Sequence, residues 1–184
     1  MRRPAHRLAA CLLATAALSL PFAAPAQAQT AFQRGAPIDQ LRVGRHVVTV
    51  FKGSPPTSVN ARNGSVGILV YERPHNSTFA AVAAQELFEY EFKSRGGFAA
   101  AGRKAEMEII SHEIESLVAS RYGGFNLAAF EQKEAGILSR YRQLRGTPPG
   151  EILARMRVSR PIAEQWLAQN RGLVRTLVAY RFPR

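Results

Sequence analysis

Two neighbouring stretches decide the fold: Ser77–Lys93, S-T-F-A-A-V-A-A-Q-E-L-F-E-Y-E-F-K, and Gly102–Tyr122, G-R-K-A-E-M-E-I-I-S-H-E-I-E-S-L-V-A-S-R-Y. Both have helical spacing, and Ser77 or Thr78 is suited to cap the first. Together they hold Glu86, Glu89, Glu91, Glu106, Glu108, Glu113 and Glu115, seven of the 13 acidic residues of a chain whose formal charge is +12. Acids gathered in this way in a basic protein call for a reason. Glu86 and Glu89 are three apart, and Glu108, His112 and Glu115 are four and then three apart, spacings that share one side of a helix. A turn at Arg95-Gly96-Gly97 predicts an antiparallel helical hairpin that brings Glu86, Glu89, His112 and one of Glu108 or Glu115 to a common point. Carboxylates with an imidazole are a ligand set for zinc or another first-row metal.

A plainer reading competes. Met107, Ile110, Ile114, Leu117 and Val118 form the apolar stripe of the second helix, and Glu108, His112 and Glu115 lie opposite it among Ala105, Ser116 and Ala119. Such a polar face is ordinarily wet, although the small residues would let another helix approach. In the first helix, Glu86 and Glu89 share a side with Phe79, Val82, Ala83 and Tyr90. Carboxylates among apolar neighbours need partners, because a buried unpaired charge is costly.

Gln85-Glu86-Leu87-Phe88-Glu89, followed by Glu106-Met107-Glu108-Ile109-Ile110-Ser111-His112-Glu113-Ile114-Glu115, resembles the metal-binding helices of zincin-type metallopeptidases, nearest to zincin-like proteins of phages and bacteria with Q-E-x-x-E and H-E-x-E. The likeness covers about 45 residues of the 184 and implies a Zn2+ site with a water-activating glutamate, as in H-E-x-x-H enzymes. It implies Glu86 as general base and Glu89, His112 and Glu115 as ligands, with Glu108 as an alternative ligand or supporting partner. The departure is plain: Gln85 and Glu89 stand where the two histidines would be.

Around this centre the chain reads as one α+β domain, mostly α, over residues 29–184, with a short antiparallel β-hairpin, the helical hairpin, and further C-terminal helices. Residues 1–28 read as a secretory signal peptide: Arg2, Arg3 and Arg7 precede an apolar run, and Ala26-Gln27-Ala28 fits the cleavage rule. The expected location is periplasmic or secreted, with no transmembrane span after cleavage. Cys11, the only cysteine, lies in that leader, so the mature chain has no thiol for a disulfide, a thiolate metal site or a cysteine nucleophile.

Gln29 to Ile38 reads as a linker-like start, Leu41–Phe51 as one strand, and Ser65–Glu72 as a second able to pair with it in an antiparallel hairpin. Leu127–Arg145 reads as a third long helix with Phe130, Ile137, Leu138 and Tyr141 in the core. Residues 139–184 form a basic helical part, with ten arginines against Glu151 and Glu164, read as three short helices at 151–157, 161–169 and 173–180. Within it, residues 152–167 resemble a helix-turn-helix with the turn at Val158-Ser159-Arg160 and with Arg160 and Gln165 toward bases. An exported protein meets little chromosomal DNA, which weighs against nucleic acid as partner. The competing reading packs Ile152, Met156, Ile162, Trp166 and Leu167 on the core and turns the arginines to solvent.

Two functions stay open on the sequence: a metal-dependent peptidase or other hydrolase, and a non-enzymatic envelope protein in which the same residues form a relict or structural polar site. The partner is a peptide in the first case and an anionic envelope polymer in the second.

Overall fold

A computed structural model describes residues 37–52, 58–62, 65–70, 76–94 and 101–181. The expected signal peptide and the turn expected at 95–97 lie outside the described residues. The chain is α+β and mostly helical, as its periodicity predicts, with β1 (Pro37–Val43), β2 (His46–Lys52), β3 (Ser58–Arg62) and β4 (Ser65–Val70) followed by α1 (Asn76–Ser94), α2 (Ala101–Gly123), α3 (Leu127–Leu138), α4 (Pro149–Gln169) and α5 (Arg171–Ala179).

The strand reading needs two corrections. Leu41–Phe51 is not one strand: the chain reverses at Gly44, whose φ of 59° a side chain disfavours. The result is an antiparallel hairpin in which Val43 faces His46, and its first strand begins at Pro37, inside the expected linker. The second strand, β4, pairs with β2 in parallel rather than antiparallel fashion, Val48 opposite Val66. Its antiparallel partner is β3, giving the order β1-β2-β4-β3. Alternation along β2 turns His46, Val48 and Val50 to the interior, where the two valines join the core formed with α1 and α2.

α2 is the axis of the molecule. It packs on α1, α3 and α4, and every residue from Met107 to Ala119 is buried. The polar face that would ordinarily be wet is therefore enclosed by other helices. Ala80, Ala81, Ala83 and Ala84 are fully buried on α1, and residues this small let neighbouring backbones approach.

Gly124, with φ of 70°, ends α2, and Asn126 caps α3 by accepting a hydrogen bond from the Ala129 amide at 3.0 Å. α3 stops at Leu138, short of the expected Arg145. Ser139 Oγ turns back to the Gly136 carbonyl (2.8 Å), and the chain continues in tight turns such as Tyr141 N to Leu138 O (2.9 Å). Leu138 is fully buried in a second core cluster with Ile152 and Met156, and Tyr141 packs against it; Phe130 and Ile137 are only half-buried.

The C-terminal region departs most from its reading. α4 begins at Pro149, a residue pre-organised for a helix start, and runs without a break to Gln169, through Pro161. The 151–157 and 161–169 segments are thus one helix, and the turn that a helix-turn-helix needs at Val158-Ser159-Arg160 is helical. Ile152, Met156, Trp166 and Leu167 are buried as expected, but Ile162 is 48% exposed. Arg157 and Arg160 do not simply face solvent. Both reach Glu131 on α3, and Arg160 also holds Glu113 on α2 at 2.7 Å.

Candidate metal centre

Among the described residues seven acidic ones are buried: Glu89, Glu91, Glu108, Glu113, Glu115, Glu131 and Glu134. Among the described residues no lysine or arginine is buried, so the core is rich in carboxylates whose cationic partners reach in from the surface. Three groups share them.

The first surrounds His112, which is 3% exposed. Its Nδ1 lies 2.7 Å from Glu134 Oε2 and 3.8 Å from Glu115 Oε2. His112, Glu115 and Glu134 each offer a ligand atom, and these atoms lie within 4.8 Å of one another. This buried imidazole and two carboxylates could hold a metal ion. On its other side, His112 Nε2 is 3.2 Å from the Gln85 amide, which also approaches Glu89 Oε1 (3.5 Å). Ser111 Oγ lies 3.1 Å from the same Glu89 oxygen, and Lys93 donates to Glu89 Oε2 at 3.1 Å. Tyr141 meets the imidazole edge-on, ring centres 5.6 Å apart.

The electrostatics follow from this enclosure. Burial pushes the Glu115 carboxyl up to about 7, helped by the Glu134 charge and opposed by His112. Burial and the Glu89 charge likewise raise Glu108 to about 7. For His112 burial favours the neutral ring, but the hydrogen bond with Glu134 and the charges of Glu115, Glu134 and Glu89 outweigh it and raise its pKa. The site carries more negative charge than its neighbours neutralise, and the balance falls to protons or to a cation.

Of the residues expected at the site, His112 and Glu115 are brought together. Glu89 and Glu108 are buried beside them but lie outside the three-residue group. Glu86, the expected base, is half-buried on α1 and also outside it. Glu134 is a candidate ligand that the reading of the first two helices leaves out. Its signal is present in the helical period: Glu131, Glu134, Ala135 and Leu138 share the inward face of α3, so two carboxylates ride on a core stripe.

The second group is Glu113, Glu131, Arg157 and Arg160. It ties α2, α3 and α4 together and leaves Glu113 Oε2 buried without a partner, and burial pushes that carboxyl up to about 7. The third is Glu91. It accepts hydrogen bonds from Trp166 Nε1 (2.9 Å), the His46 ring (3.1 Å) and Arg45 Nη2 (3.0 Å). Burial alone would raise its pKa, but these donors prevail and hold it below the usual carboxylate value.

No protein-family model, curated protein or solved structure matches this chain. The functional reading therefore rests on the site itself.

Proposed function

We propose that this is an exported metal-binding protein in which one divalent ion, Zn2+ in the first instance, is held by His112, Glu115 and Glu134. The observation that carries the reading is the convergence of these three ligand atoms within 4.8 Å in the enclosed core. The donor set fits: one imidazole with carboxylates suits zinc and its first-row neighbours, and two carboxyls pushed up to about 7 mark a place where a cation is wanted. Bound there, a zinc ion would supply two positive charges and a link between α2 and α3. Glu89 and Glu108 would stand beside it as supporting carboxylates that tune and orient the ligands.

The ion's role in this reading is structural. A catalytic zinc keeps one position open to water and substrate, whereas His112, Glu115 and Glu134 are 3%, 8% and 2% exposed. The peptidase version, with Glu86 as base, rests on the resemblance to zincin-like proteins alone. The exported location rests on the pattern of residues 1–28. Contact with anionic envelope polymers is part of the proposal, because Arg140, Arg142, Arg145, Arg155, Arg171 and Arg175 are all exposed.

Elemental analysis of the purified chain after loading with Zn2+, Mn2+ or Fe2+ and dialysis tests the reading. About one ion per chain should remain, and His112→Ala or Glu134→Gln should lose it while Glu86→Gln keeps it. A chain that retains no metal, or retains it equally in all three variants, overturns the site. Peptide hydrolysis abolished by Glu86→Gln would replace the structural role by the catalytic one.

A further inference from the structure

The hairpin tip at Gly44 and the junction of α4 with α5 enclose a cavity of about 480 Å3, within the range of small-molecule sites. It is lined by Arg45, His46 and Glu91 on one side and by Gln169, Asn170 and Gly172 on the other. None of these residues belongs to the metal centre. A Cβ at Gly44 or Gly172 would meet no atom within 4 Å, so both glycines open onto free space.

The arrangement of Arg45 is unusual for a surface arginine. Its side chain is 71% exposed, yet its inner edge is fixed by two buried groups: Nη2 donates to Glu91 Oε1 at 3.0 Å, and Nε lies 3.3 Å from His46 Nε2. Those groups are themselves immobilised. Trp166 Nε1 donates to the other Glu91 oxygen, and the His46 ring stands edge-on to Tyr90. A long side chain that would ordinarily lose entropy on binding is thus already ordered. The guanidinium carries five N–H donors. One is used toward Glu91, and with the side chain 71% exposed the others remain for the fork geometry that matches a carboxylate or phosphate. Gln169 and Asn170 line the cavity opposite, the Asn170 amide nitrogen donating to the Trp166 carbonyl at 2.9 Å.

We propose that this cavity is a second binding site, for the oxyanion head, carboxylate or phosphate, of a small polar molecule held bidentately by Arg45. Glu91, His46 and Trp166 act as positioning residues that hold the arginine. The site is independent of the metal reading, since it shares no residue with it and needs no ion.

Calorimetric titration of the full chain with inorganic phosphate and, separately, with acetate at constant ionic strength tests this. One of the two should saturate, and which one does assigns the head group. Arg45→Gln should weaken that binding about tenfold or more, as expected for loss of a charge-assisted pair, with thermal stability little changed because the side chain is largely exposed. Arg45→Lys should weaken it comparably, because the charge remains but the fork is gone. Gly172→Leu, which fills the cavity without altering charge, should also weaken it. Absence of saturation with both anions overturns the proposal, as does undiminished binding in Arg45→Gln or Arg45→Lys.

Discussion

His112 Nδ1 and Glu134 Oε2 lie 2.7 Å apart, joining the central helix α2 to α3 across the most acidic part of the core. The contact links two residues 22 positions apart in the chain, and both are almost without solvent. If a metal ion replaces the shared proton there, folding and metal binding become one equilibrium. A chelator should then lower the melting temperature of the metal-loaded chain by several degrees, and re-addition of Zn2+ should restore it. The stabilisation should grow with free metal, reaching about 2.7 kcal/mol at a hundredfold excess over the dissociation constant. Scanning calorimetry at several metal concentrations measures it, and a melting temperature indifferent to both metal and chelator contradicts the site.

The same carboxyls fix the direction of the pH dependence of the metal-free protein. Glu108, Glu113 and Glu115 titrate near 7 when folded against an ordinary value of 4.5. Between those values the folded chain holds protons that the unfolded chain has released, so stability falls as pH rises from about 4.5 to about 7. His112 adds to the trend. Its folded pKa is raised above 6.5, so its contribution is complete below 6.5 and is lost as pH rises through the folded value. The metal-free chain should therefore be more stable at pH 5 than at pH 8, each carboxyl contributing on the order of 1–3 kcal/mol. Saturating metal should flatten the decline, because an ion favours the deprotonated ligands. Urea denaturation at both pH values reads the sign directly.

Among the described residues Arg160 alone bridges Glu113 and Glu131, which are 0% and 1% exposed. Arg160→Ala would strand the buried Glu113 and leave Glu131 to Arg157 alone, and should cost about 3–5 kcal/mol, the usual penalty for breaking a buried pair from one side. Arg160→Lys should lose part of this, since a single ammonium cannot span two carboxylates as a guanidinium does. Glu113→Gln should cost less than Arg160→Ala, because it removes a charge that already lacks a partner at Oε2. Denaturant midpoints for the three variants should rank in that order, and a mild Arg160→Ala would show the network to be dispensable.

These groups also show where the sequence is readable and where it is not. α1 and α2 announce themselves through long periodic runs bounded by turn residues, and the placement of His112 with Glu115 follows from their spacing on one helix. Their burial does not follow, because a face is dry only if something covers it, and nothing within α2 itself says that α3 and α4 will pack there. Glu134 escapes a local reading for the same reason: it lies on the core stripe of a third helix, and only packing brings that stripe to His112. Local signals mislead where a residue has two uses. Gly44 sits in a β-branched run that reads as one strand, and Pro161 reads as the start of a new helix although α4 passes through it. The parallel pairing of β2 with β4 has no local signature, since either orientation suits the same residues.

Gly44 gives a direct check on that hairpin. Its φ of 59° lies in the left-handed region, and no atom stands within 4 Å of the place a Cβ would occupy. Gly44→Ala should therefore cost only backbone strain, about 1–2 kcal/mol. Gly172 also opens onto free space but lies within α5 without positive φ. Gly172→Ala should instead stabilise by about 0.5–1 kcal/mol, through the unfolded state and through helix propensity. Opposite signs for two alanines in equally open surroundings would isolate the backbone term. Equal signs would count against the reversal at Gly44.

Pro161 offers the sharpest test of the long α4. Within a helix, proline lacks the N–H that would bond the carbonyl four residues earlier, here that of Arg157, and its ring crowds that carbonyl. Pro161 is exposed, so its ring contributes little to the core, while Arg160 beside it holds Glu113 and Glu131. If α4 is continuous, Pro161→Ala should restore the missing hydrogen bond and raise stability by about 1–3 kcal/mol. Were residues 158–160 a turn between two helices, Pro161 would sit at a favourable first helical position and alanine there would lower stability instead. The sign of a single denaturation midpoint therefore distinguishes a continuous helix from a helix-turn-helix.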